Sequence, residues 1–301
     1  LQLAQFFVDP SWVPNSFLLS DLPTHRIFFM WVAGPMVDVL GFYWTAAIGR
    51  AVLILIMVPA LVRIFKTIPL SNAKWLILFQ MVLLTNQSYF GQEWIFLAFE
   101  PKTLAYAALL WALVFFQDKK WWPMVILLAL ATYFHILVGL LSSVAFLGTQ
   151  VLFEYKSKRF WAAAGLWIFM VLPFVWWIKS GLTPPTGLSP SEDWIYTQYR
   201  NPHHTAPFAD MDIFYGKYLL GIVLVTLLIT FLVRNFSRIE AYGRPMRTLI
   251  VLTLCSSIGA LLLAYVDSEG HLMKYYPFRL QVWGVFFGLP LVFVSLTKWL
   301  K

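Results

Sequence analysis

Residues 118–180 read DKKWWPMVILLALATYFHILVGLLSSVAFLGTQVLFEYKSKRFWAAAGLWIFMVLPFVWWIKS, and this stretch decides the fold. Basic residues gather at Lys119 and Lys120, then at Lys156, Lys158 and Arg159, with apolar sequence between them. A helix needs about 20 apolar residues to cross a hydrocarbon core of about 30 Å, and fewer where protein rather than lipid surrounds it. Basic clusters prefer one side of a membrane. A chain leaving one cluster and returning to that side at the next crosses twice, over 121–137 and 140–153. Residues 160–179 then cross back.

The pattern extends in both directions. Further apolar runs at 43–65, 75–92, 101–117, 214–233, 247–266 and 280–298 bring the expected spans to nine. Residues 26–40 are apolar too, but carry Gly34-Pro35 and Asp38. They predict an interfacial or re-entrant helix broken at Gly34-Pro35. The chain is 60% hydrophobic and 12% charged, against about 25% charged residues in soluble domains. The expectation is an all-α, polytopic transmembrane bundle forming a single membrane domain over 1–301.

Charge sets the orientation. With Arg63, Lys66 and Lys74 in the cytoplasm, fourteen of the 22 basic residues fall on that side, joined only by Asp118, Glu154 and Glu240. The C-terminus is then cytoplasmic and the long loops are outside, the layout of a bacterial inner-membrane protein. The net charge of +8 is therefore read as topology, and nucleic acid is excluded as a partner. The first 25 residues lack the basic and apolar regions of a signal peptide. They read as a loop entered midway, with a first span expected upstream. Cys255 is the single cysteine, so no disulfide forms within the chain.

Most reactive side chains lie in the outer segments. The long outer loop 180–213 contains SEDWIYTQYRNPHHTAPFADMD, residues 191–212. Arg200 offers a planar fork for phosphate or carboxylate. His203 and His204 are adjacent, and in extended chain they point to opposite faces, one toward a substrate and one anchoring the loop. A solvated surface loop is the plainer alternative. His135, at the outer end of a span, is either a functional histidine or one bonded to a neighbouring helix. Glu100 precedes Pro101 at a helix start, where it caps the helix or, with Lys102, meets a polar substrate. Lys274 and Arg279 suit a lipid phosphate or snorkel to headgroups, and a buried arginine requires an anionic partner. Asp267, Glu269 and His271 crowd one loop and could take a divalent cation. Asp9 and Asp21 are carboxylates of the first outer segment; helix capping explains Asp21, and either can serve as a base.

Taken together, DPSWVPNSFLLSD (9–21), GRAVLILI (49–56), FEPKTLAYAALLWAL (99–113), TYFHILVGLL (132–141), YRNPHHTAPF (199–208) and KYYPFRL (274–280) resemble the GT-C superfamily of membrane glycosyltransferases. More narrowly, they resemble a bacterial branch with an Arg-x-Pro-His-His loop. The resemblance implies a GT-C-like fold and a polyprenyl-phosphate-linked sugar donor. It also implies transfer on the outer face, from a carboxylate in the first outer loop, either Asp9, Asp21 or one upstream. Arg279, Lys274 and Arg200 would contact phosphate, and His203, His204, Glu100, Lys102 and His135 would line the donor or acceptor pocket. Two other function classes fit the composition. A transporter or flippase of a lipid-linked substrate predicts ionisable groups near mid-membrane, where only Asp38, Arg50 and His135 come close. A non-enzymatic subunit of a membrane complex would turn its many aromatic residues toward partner helices.

Overall fold

The computed structural model describes residues 1–13, 24–66, 68, 71, 75–76, 80, 90, 93–96, 98–180, 190–208, 218–236 and 243–299. Among them the regular structure is entirely helical. The main helices are α1 (Gln2–Val8), α2 (Ile27–Phe65), α3 (Pro101–Gln117), α4 (Trp121–Phe134), α5 (Ile136–Glu154), α6 (Lys158–Ser180), α7 (Leu220–Arg234), α8 (Gly243–Val266) and α9 (Gln281–Trp299). Five helical stretches are long and apolar enough to cross a membrane: Thr24–Phe65, Ile136–Glu154, Lys158–Ser180, Gly243–Val266 and Met273–Val294. The helices Trp121–Phe134 and Leu220–Arg234 are apolar but shorter. Among the described residues the protein is thus all-helical, with the long apolar helices of a membrane protein. The expected span at 75–92 lies largely outside the described residues.

Helix boundaries follow local chemistry, with two corrections. Residues 26–40 do not break at Gly34-Pro35; α2 continues through both. Gly34 instead faces α1, whose Phe7 and Val8 pack against it. The interruption falls at Gly41, at φ +70° and ψ 173°, a conformation open essentially to glycine alone. The boundary expected between 137 and 140 falls earlier, at His135. That residue is extended, at φ −149°, and separates α4 from α5 by itself.

The chain sorts into two compact units. The first comprises Leu1–Ile64, Ile95–Ser143 and Glu154–Leu182. Its centre is α3, which packs along α4, while α4 packs along α6. Leu109, Leu110, Ala112, Leu113, Met124 and Leu128 are fully buried there. Tyr133 stacks on Phe28 at 4.8 Å, meets Phe174 edge-on, and donates its hydroxyl to Met170 O at 2.6 Å. By contrast, Leu55 of α2 and Phe169 and Trp176 of α6 are more than 70% exposed. Large apolar side chains outside and a dense interior suit a lipid surround, where van der Waals packing drives helix association. One end of this unit carries charge: Arg63 pairs with Asp118 at 2.6 Å and Lys119 with Glu154 at 2.6 Å. The sequence assigned all four to one side of the membrane, and the contacts gather them at one end.

The second unit comprises Phe65–Trp94, Val144–Phe153 and Thr183–Lys301. Here α8 packs along α9, and α7 packs against both. Trp283 lies parallel to Phe287 and meets Phe146 edge-on. Phe90 stacks on Tyr218 at 5.6 Å and donates its backbone N–H to Gln281 Oε1 at 2.8 Å. These contacts anchor Phe90 to the start of α9.

Candidate functional site

Two irregular segments of the second unit, 191–208 and 267–280, build a cluster of polar and aromatic side chains. The first begins as a capped turn, with Ser191 Oγ accepting from the backbone N–H of Trp194 at 3.2 Å. It runs from Glu192–Trp194 into a π-helical turn, Ile195–Arg200, and then into the short helix Pro202–Thr205. Buried Thr205 ties these turns together, its hydroxyl lying 2.7 Å from Thr197 O and 2.8 Å from Asn201 O. The second segment is organised by Asp267. Its carboxylate accepts the backbone N–H groups of His271, Leu272 and Met273 at 3.0, 2.7 and 2.8 Å. Gly270, at φ +77°, lets the turn lie directly on Thr197; any Cβ there would collide with that side chain.

Asp193 joins the two segments. Its Oδ2 accepts from Lys274 Nζ at 2.6 Å and lies 2.9 Å from His271 Nδ1. Burial works to raise the Asp193 pKa, but the hydrogen bonds and charges of Lys274 and His271 outweigh it and hold the carboxyl below its ordinary value. A second link pairs Glu269 with Ser191 Oγ at 3.1 Å. A third joins the Tyr276 and Tyr196 hydroxyls at 2.7 Å. Tyr276 sits at φ +55°, a rare conformation for an aromatic residue. It is held there between two short 3₁₀ turns, with its ring nearly buried.

Arg279 lies over the Tyr276 ring at 4.4 Å, and its Nε is 3.5 Å from Glu93 Oε2. The Glu93 side chain is 2% exposed and that of Arg279 16%. The anionic partner that a buried arginine requires is therefore Glu93. The pair lacks hydrogen-bond geometry, however, and Arg279 Nε and Nη1 are buried without an acceptor among the described residues. A guanidinium held in place by stacking, with N–H groups to spare, can bind an oxyanion.

The expected site residues divide between the units. Arg200, His203, His204, Lys274 and Arg279 all belong to the second. His203 and His204 correct the expectation of opposite faces. Pro202 opens a helical turn, so the chain is not extended there, and the two rings lie 4.1 Å apart. The His204 ring also meets Tyr276, at 5.6 Å. Lys274, expected at a lipid phosphate, places its ammonium 2.6 Å from Asp193 Oδ2. Asp9, Glu100, Lys102 and His135 belong to the first unit. Asp9 Oδ1 accepts both the N–H and the hydroxyl of Ser11, forming a local turn. Glu100 occupies the N-cap of α3 but makes no capping hydrogen bond; it turns toward Lys102, at 3.6 Å. His135 caps α5 by accepting the Val138 N–H at 3.4 Å. Asp21 lies outside the described residues.

A cleft of about 310 Å³ adjoins these segments, lined by Trp194, Gln198, Phe208, Tyr265 and Ser268 among others. Asp267, Glu269 and His271 do not converge on a common point, and no metal-ligand group forms among the described residues. Asp193, Tyr196, Glu93 and Tyr276 received no role from the sequence. Asp193 and Lys274 stand 81 residues apart, and no local motif connects them.

No family model, curated protein or solved structure matches the chain.

Proposed function

We propose that the protein is a membrane glycosyltransferase that moves a sugar from a polyprenyl-phosphate-linked donor to an acceptor on the outer face of the membrane. Arg279 carries this reading. Its guanidinium is stacked on Tyr276, flanked by Glu93, and has buried N–H groups without an acceptor among the described residues. Phosphate is the leaving group of the reaction, and donors already in place stabilise its charge as it develops. The cleft suits the sugar: it is lined by the aromatic Trp194 and Tyr265 and the polar Gln198 and Ser268. Nine spans with a cytoplasmic C-terminus, in a bacterial inner membrane, complete the reading. They put 191–208 and 267–280 outside, where a lipid-linked donor is reached from the bilayer.

The test is reconstitution in liposomes with polyprenyl-phosphate glucose or mannose labelled in the sugar, and membrane extract supplying acceptors. Label should leave its lipid, and Arg279→Ala should slow that transfer about 10²–10³-fold, the usual cost of losing one such donor. Label that crosses the bilayer while still on its lipid would identify a flippase instead.

A further inference from the structure

We propose that His271 is the base that takes the proton from the acceptor hydroxyl, with Asp193 as its positioning residue. This inference rests on the transferase reading and adds a residue to the same site. Of the carboxylates expected for the task, Asp9, Asp21 or one upstream, Asp9 accepts two hydrogen bonds from Ser11 through one oxygen. His271 is differently placed. Its side chain is 63% exposed, its backbone N–H is fixed by Asp267, and its Nδ1 lies 2.9 Å from Asp193 Oδ2. Lys274 donates to the same oxygen and favours the carboxylate form of Asp193. A carboxylate only accepts hydrogen bonds, so the tautomer that serves as a base carries its proton on Nδ1 and its lone pair on Nε2. Nε2 meets no partner among the described residues. The charged and titratable groups around the imidazole are Asp193 and Lys274, with Asp267 at its backbone and Glu269 in the same turn. Gly270 presses this turn onto Thr197, within the segment that carries Asp193.

In the step, the acceptor oxygen attacks the anomeric carbon of the donor sugar while His271 Nε2 takes the hydroxyl proton. The new C–O bond forms as the anomeric C–O bond to phosphate breaks, and its electron pair leaves on the phosphate oxygen. The imidazolium then returns its proton to water. Asp193 stays ionised and steadies the charged ring.

In the liposome assay with polyprenyl-phosphate glucose or mannose, His271→Ala should lower kcat by about 10²–10⁴-fold, the range of a general base, with donor KM unchanged. Free imidazole should restore transfer to this variant, since the position is open to solvent. Asp193→Asn should lower kcat without changing KM, and Asp193→Glu should recover part of the loss. Should His271→Ala fail to fold, His271→Asn carries the test, because it keeps a hydrogen-bonding side chain but has no base. Full activity in a folded His271 variant, or a loss in folded His271→Ala that imidazole does not repair, overturns the proposal alone. No transfer by the unaltered protein overturns the transferase reading together with it.

Discussion

His271 Nδ1 lies 2.9 Å from Asp193 Oδ2, although 78 residues separate the two in sequence. Lys274 reaches the same oxygen at 2.6 Å. One carboxylate therefore joins segment 191–208 to segment 267–280, beside the Ser191–Glu269 and Tyr196–Tyr276 hydrogen bonds.

The fastening should depend on acid in a defined direction. The Asp193 pKa is lowered in the folded protein, so its stabilising contribution is complete above the ordinary carboxylate value of about 4. It is lost as pH falls through the lowered folded value. Limited proteolysis of 191–208 should accelerate below about pH 4. Asp193→Asn should be cleaved faster at neutral pH and show a weaker acid response. An unchanged response in Asp193→Asn would show that another group controls the loop.

The Arg279–Glu93 pair should be costly to break from one side. Arg279→Ala leaves a carboxylate 2% exposed beside an apolar side chain. Removing one member of a buried pair is destabilising, and replacing both partners by neutral groups recovers much of the loss. Thermal melting in detergent should place Arg279→Ala lowest, with Arg279→Met/Glu93→Gln between it and the unaltered protein. Equal melting of the single and double variants would mean that the two charges are not coupled.

Gly41 should resist substitution although a Cβ there meets no atom within 4 Å. The penalty comes from its φ of +70°, which costs an L-residue about 1–3 kcal/mol. Gly41→Ala should therefore lower the melting temperature, while an alanine at the unstrained, equally open Gly165 should not. If both substitutions were harmless, α2 would not need its interruption.

The orientation can be read with a membrane-impermeant thiol reagent on intact cells. In a Cys255→Ser background, Tyr199→Cys should be labelled from outside and Lys119→Cys only after permeabilisation. Both positions are well exposed, Tyr199 at 80% and the Lys119 side chain at 60%. Lys119 makes an exposed ion pair of a kind worth about 0–1 kcal/mol, so its loss should not disturb folding. The reverse labelling pattern would invert the topology and move the site to the cytoplasmic face.

Short-range chemistry and the demands of a membrane were legible in the residues alone. Apolar length defined the helices at 101–117, 160–179 and 247–266 to within a few residues of those observed. Pro101 marked the start of α3, and the basic clusters foretold that Arg63, Lys119 and their acidic partners share one end. The need for an anion beside Arg279 was also legible, because burying a charge without a partner is prohibitive wherever it occurs. The tertiary structure decided which anion. Glu93 and Arg279 meet because the Phe90 backbone binds Gln281 and its ring stacks on Tyr218. Asp193, Lys274 and His271 meet because Asp267 and Gly270 fold one turn against another. A buried charge states that it needs a partner; only the packing of distant segments states which one it has.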